Sequence, residues 1–185
     1  MTAIRFLMVV FLCLSVSACL NNDVTEIKFP AHTEGRENIG MGTIVFGISL
    51  EKEWSYKNFG ISLDEYSLEE KNITGNCFHY NTAGADIPSD TQGVHYFVFN
   101  VPSGYYVYSP FNAASAIAPY NALAFFVPVH QTVYIGDFTY VGNHKVKFQR
   151  NLDAAEKSTK LLTETPLVPS ETISVTSPHM FICTP

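Results

Sequence analysis

The chain has 185 residues, of which 46% are hydrophobic, 14% aromatic and only 15% charged, with a formal net charge of −6 at pH 7. That balance excludes a disordered chain, because there is ample apolar surface to bury. It also argues against a nucleic-acid partner, since the densest basic group, Lys145, Lys147 and Arg150, stands alone in an acidic field.

The N-terminus has one cation, Arg5, then an apolar run from Phe6 to Leu14, then small residues up to Ala18, which are the three zones of an export signal. About nine apolar residues make a helix of roughly 14 Å, well short of the ~30 Å hydrocarbon core, so the run reads as an address and not as a span. The junction Val16-Ser17-Ala18-Cys19 resembles the lipobox of bacterial lipoproteins, an aliphatic residue and two small residues before an obligatory cysteine. The resemblance implies that residues 1–18 are a signal peptide, that the Cys19 thiol takes a diacylglycerol, that a dedicated peptidase cuts before it, and that the new amine is acylated. The residues alone also admit an ordinary secretory signal cut after Ala18, with Cys19 free or disulfide-bonded. The implied partner is a lipid bilayer reached through acylated Cys19. With about 0.8 kcal/mol per buried methylene, two or three chains hold essentially permanently. In enterobacterial lipoproteins an aspartate after the cysteine signals retention at the inner membrane. Leu20 stands there instead, so the expected location is the bacterial cell envelope, lipid-anchored, with the outer membrane as the default if the cell is Gram-negative.

Removal of the signal leaves about 165 residues, enough for one domain with a sizeable core. Cys13 leaves with the signal and Cys19 takes lipid, so Cys77 and Cys183 are the two thiols left in an oxidising compartment and are expected to pair. A loop of roughly 100 residues closed by that bond corresponds to about 4 to 5 kcal/mol in the chain-entropy model. The alternative is two separately buried thiols.

Residues 19–41 are polar and unpatterned and read as a flexible tether, with a reach of roughly 25 Å for about 20 residues. Residues 42–185 form the body. Thr43 to Leu50 is β-rich, and Tyr56 to Tyr66 alternates, with Phe59, Ile61 and Leu63 on one face and Ser62 and Asp64 on the other. Phe78-His79-Tyr80 reads as a short strand and Thr82 to Gly93 as a loop. Val94 to Val101, Pro102-Ser103-Gly104 and Tyr105 to Tyr108 read as strand, turn, strand, a hairpin in which Gly104 takes a positive φ. Phe111 to Tyr120 is an excursion, and Leu123 to Val129 a buried strand. His130-Gln131 is a turn, and Thr132 to Val141 a longer strand with Gly136 at a bulge or a close backbone contact. Gly142-Asn143 turns into the strand His144 to Phe148. A helix over 153–162 follows, capped by Asn151 or Asp153, and then a Pro-rich tail in which Thr172 to Thr176 makes an edge strand. The expected fold is all-β, an antiparallel β-sandwich of about 7–8 strands with one short C-terminal helix.

The Gly42 strand, the segment Phe97-Val98-Phe99-Asn100-Val101-Pro102-Ser103-Gly104-Tyr105-Tyr106, the strand Ala124 to Pro128 and Val133-Tyr134-Ile135-Gly136-Asp137 resemble a known pattern. It is that of small transthyretin-like β-sandwiches found in envelope lipoproteins, and more distantly of carboxypeptidase-regulatory-like modules. The resemblance spans about 100 residues, and its motifs bear on fold more than on function.

Catalytic constellations are scarce. The chain has no Gly-x-Ser-x-Gly elbow, no His-Glu-x-x-His zinc helix, no phosphate-cradling loop and no Cys-x-x-Cys pair. Ser49-Leu50-Glu51-Lys52 has the Ser-x-x-Lys spacing of penicillin-recognising enzymes, but it closes a strand, where that spacing does not bring the two groups together. His79 and His95 with Asp86 or Asp90 are the one candidate metal set, more simply read as solvated histidines. Asp137 beside Gly136 reads as a bulge carboxylate satisfying a loop amide. Tyr105, Tyr106 and Tyr108 are the candidate ligand-binding residues of an aromatic platform. The expectation is therefore a non-enzymatic envelope lipoprotein without cofactor, serving as an interaction or assembly module with an envelope protein partner. A small-ligand or glycan binder is the alternative, and a cryptic hydrolase a more remote one.

Overall fold

The computed structural model describes residues 21–28, 40–76, 79–112, 116–118, 122–163 and 165–175. The signal 1–18, Cys19, Cys77 and Cys183 lie outside the described residues. In chain order the elements are β1 (Thr25–Glu26), β2 (Met41–Leu50), β3 (Asn58–Ser67), β4 (Asn72–Ile73), β5 (Thr82–Pro88), β6 (His95–Pro102) and β7 (Gly104–Tyr108). They continue with β8 (Ala116–Ala118), β9 (Leu123–Val127), β10 (Thr132–Gly142), β11 (Lys145–Gln149), α1 (Leu152–Thr159), β12 (Leu167–Pro169) and β13 (Thr172–Ser174).

The strands form two mostly antiparallel sheets. The first runs β1-β6-β2-β10-β11-β8, with β12 beside the start of β10; the second runs β13-β9-β7-β3-β4, with β5 along β3. Period-2 alternation places Ile44, Phe46, Ile48, Phe99, Val101 and Phe138 of the first sheet against Phe59, Ile61, Leu63, Tyr106 and Phe125 of the second, all buried. Each such side chain contributes roughly 1.5–3 kcal/mol when removed from water, so this interface holds the sheets together. The outer face of the first sheet is also covered. There α1 sets Ala155 against Val45, Val98, Tyr134 and Leu167. Asn151 starts the helix by accepting the Ala154 amide on its side chain at 3.2 Å, while Asp153 in the first turn and Lys157 in the last suit the helix dipole. The helix ends at Thr159, before the expected limit of 162, and leaves Leu161 76% exposed.

The tertiary structure redraws several local expectations. Eight strands are five residues or longer, matching the expected number, and the rest are two- or three-residue edge pieces. The sandwich is not wholly antiparallel: β10 lies parallel to β2 and β12, and β11 parallel to β8. Strands β2 and β10 can pair this way because both are buried on both faces, as central parallel strands require.

The segment read as a hairpin is a corner between sheets, since β6 pairs with β1 and β2 while β7 pairs with β3 and β9. Gly104 does not take a positive φ there. The corner is instead held by the Ser103 amide donating to Gly40 O at 2.8 Å, the Ser103 hydroxyl donating to Val127 O at 2.8 Å, and the buried Tyr106 hydroxyl donating to Pro102 O at 2.9 Å. Thr82 to Pro88, read as a loop, is β5, with seven residues in register with β3. The strand expected at Phe78-His79-Tyr80 reduces, among the described residues, to a single bridge between His79 and Asn21.

Candidate functional site

Gly136 is the hinge of the first polar site. It has φ +148°, and a Cβ there would strike the Phe148 ring. The pairing with β2 slips between Tyr134 and Gly136, so β10 carries one extra residue at this point. Strict alternation would put Tyr134 and Asp137 on opposite faces; the slip brings both to the outer face, under α1. There the Tyr134 hydroxyl donates to Asp137 Oδ1 at 2.6 Å, and the Tyr96 hydroxyl lies 3.4 Å from Asp137 Oδ2. The Asn151 amide donates to the Tyr134 oxygen at 3.0 Å, linking the carboxylate to the helix cap. Gly47 lies directly beside Asp137 in the register, and a side chain there would strike the carboxylate. Asp137 is 1% exposed, and burial raises its pKa above the usual carboxylate value, partly offset by the two tyrosine hydroxyls. Burial and the neighbouring carboxylate push the Tyr96 pKa up to about 12.

A second buried carboxylate, Asp64, sits on the outer face of the other sheet. It is 0% exposed, and among the described residues neither oxygen has a hydrogen bond of good geometry, although the hydroxyls of Ser109, Tyr80 and Thr82 face it. Burial raises its pKa, and the hydroxyls only partly oppose this. Alternation along β3 had marked Asp64 as a solvent-face residue. The neighbours on that face, Tyr66, Val107 and Tyr80 among them, form a small apolar cluster over the sheet. A tyrosine two residues on was the only local sign.

The third feature lies at the start of the described chain. The Tyr80 amide donates to Asn21 O at 3.0 Å, the Asn22 side chain donates to Thr82 O at 3.0 Å and accepts its amide at 3.2 Å, and the Asp23 amide donates to the Asn81 side chain at 3.0 Å. Thr25 and Glu26 then pair with Asn100 and Phe99 of β6, and Val24 and Ile27 pack on the two apolar clusters. Residues 21–28, expected within the flexible tether 19–41, are therefore a strap joining the edges of both sheets. The side-chain amides of Asn22 and Asn81, uninformative as a pattern, make three of these bonds.

The remaining candidates separate. Tyr106 is fully buried in the core, and Tyr108 is half-buried with its ring 5.6 Å from Phe138, so burial raises the pKa of each hydroxyl and neither belongs to a surface platform. Only Tyr105 turns outward, half-buried with its ring 5.0 Å from Phe126. His79 lies 4.0 Å from Asp23 at the strap, whereas His95 begins β6 on the other sheet, opposite Ile48. Asp86 accepts from the Asn58 side chain, and Asp90 is exposed. Among the described residues no three His, Cys, Asp or Glu side chains converge in a manner suited to a metal ion. The Ser49 hydroxyl shares a 2.8 Å hydrogen bond with Thr139 across two buried strands.

What the arrangement can do chemically is limited by burial. A general acid or base must reach a substrate within about 3 Å, and both raised carboxylates are closed from solvent. They read as interior polar joints. No protein-family model matches the chain, and comparison with curated proteins and with solved structures returns no match.

Proposed function

We propose that the chain is an acyl-anchored lipoprotein of the bacterial envelope, at the outer membrane, whose β-sandwich body is an interaction or assembly module and not an enzyme. The observation that carries the reading is the run Val16-Ser17-Ala18-Cys19 set directly behind the apolar stretch Phe6 to Leu14. Support for a non-catalytic body comes from Asp64 and Asp137, two carboxyls whose pKa is raised by burial, being 0% and 1% exposed. Metabolic labelling with a fatty acid, followed by intact mass, tests the anchor. Cys19→Ala should yield an uncleaved or soluble product that carries no acyl label. Unchanged labelling in that variant overturns the assignment. For the body, crosslinking in intact cells should trap a defined envelope protein; a body that stays monomeric and uncrosslinked argues against an assembly role.

A further inference from the structure

The strap gives the anchor a geometry. We infer that the body is seated directly on the bilayer surface in one orientation, with the corner formed by Asn21–Asp23, His79–Thr82 and Phe111 facing the headgroups; this rests on the proposed acylation of Cys19. Asn21 is two residues from Cys19, which at about 3.3–3.6 Å per residue allows at most roughly 7 Å between them. That is about the thickness of one headgroup layer, since the ~30 Å hydrocarbon core grows to ~40–45 Å with both layers included. A free coil of about 20 residues would instead allow roughly 25 Å and any orientation.

From Asn21 onward there is little slack. Four hydrogen bonds of 3.0–3.2 Å fix Asn21, Asn22 and Asp23 to residues 80–82. The pairing of Thr25 and Glu26 with β6, and the Ile27 amide donating to Val98 O at 2.8 Å, carry the strap to the first sheet. The same corner presents an exposed aromatic. Phe111 is 52% exposed, and its ring centroid lies 6.4 Å from that of Tyr80, whose amide holds Asn21. An aromatic ring at headgroup depth is favoured by the same partition that places aromatic and apolar side chains of interfacial segments at the acyl boundary. The acyl chains thus provide attachment, and the strap with Phe111 sets the angle. One defined face of the sandwich then points to the membrane and the opposite end to a partner.

The test uses the full-length acylated protein in phosphatidylethanolamine–phosphatidylglycerol vesicles with brominated acyl chains. In a Trp54→Phe background, Phe111→Trp fluorescence should be quenched several-fold more than that of Leu161→Trp, a site 76% exposed beyond α1. A flexible Gly/Ser insert between Leu20 and Asn21 should erase the difference. Without a tryptophan probe, amide exchange over 109–112 in the acylated protein on vesicles should be slower than in the soluble Cys19→Ala product, while α1 stays unchanged. Equal quenching at both sites, or unchanged exchange at 109–112, in protein whose mass includes the acyl groups overturns the seating and leaves the anchor intact. A mass without acyl groups, with no flotation on vesicles, removes the anchor itself and the seating with it.

Discussion

The Tyr134 hydroxyl donates to the Asp137 carboxylate at 2.6 Å although the two residues stand three apart on one strand, a spacing that β alternation sends to opposite faces. The bulge at Gly136 permits it, and the Asn151 amide extends the contact to the cap of α1. Tyr134→Phe should lower the unfolding free energy by about 1.5–3 kcal/mol, the range for a hydrogen bond to a charged group. Asp137→Asn should cost far less, because the amide oxygen still accepts the Tyr134 hydroxyl and a buried charge is removed. The single tryptophan, Trp54, 7% exposed and wedged against Phe59 and Tyr140, reports both in denaturant titrations.

The two buried carboxylates set a pH dependence whose sign follows from their raised pKa values. A carboxyl that binds its proton more tightly in the folded than in the unfolded state stabilises the fold below the unfolded value. That contribution is lost as pH rises through the folded value. Stability from Asp64 and Asp137 should therefore fall from near the ordinary aspartate value of 3.8 upward, until each is ionised in the fold. Thermal melts across this window should show the decline in the parent and a flatter profile in Asp64→Asn with Asp137→Asn. A profile in the double variant as steep as the parent's would place the dependence elsewhere.

Gly136 and Gly40 both have positive φ, but of the two Gly136 is the crowded one: among the described residues nothing lies within 4 Å of a Cβ at Gly40. Gly40→Ala should cost about 1–2 kcal/mol from backbone strain. Gly136→Ala adds a collision with the Phe148 ring and should cost about 3 kcal/mol or more, with loss of the Tyr134–Asp137 contact. Comparing the two by calorimetry separates strain from crowding.

The three tyrosines of β7 should respond unequally. Tyr106→Ala empties a fully buried site and should cost about 3–5 kcal/mol, whereas Tyr105→Ala, which loses one half-buried aromatic contact, should cost about 1 kcal/mol. Any sugar or small ligand held by this row should lose affinity on Tyr105→Ala with little change in stability, as titration calorimetry would record.

Cys77 and Cys183 are expected to form a disulfide. Cys77→Ser should then lower stability under oxidising conditions by up to about 4–5 kcal/mol, and reductant should erase the difference between variant and parent. Two free thiols in a non-reducing mass measurement of native protein would remove the crosslink.

Alternation along the chain determined which residues face inward on several strands: Phe59, Ile61 and Leu63 and the outward Lys145 and Lys147 follow from period 2, the continuous apolar run marks β9 as buried, and Gly136 was legible as a bulge or close backbone contact. The helix start at Asn151 was legible too, because a cap is a contact between residues three apart. The Val16–Cys19 junction, a motif of contiguous residues, was equally open to reading and is where the proposed anchor originates. Partner choice was not legible. Whether β6 and β7 form a hairpin or a corner depends on which strands across the molecule take their edges, and the turn Pro102-Ser103-Gly104 serves either. The burial of Asp64 was hidden for the same reason, since Tyr80 and Ser109 meet it only after β3, β5 and β7 are side by side. The strap was hidden most fully. Asn21 to Asp23 have no hydrophobic period, and their hydrogen bonds reach about 60 residues along the chain, so a segment that looked like slack becomes a fastening only when the edges of both sheets lie beside it.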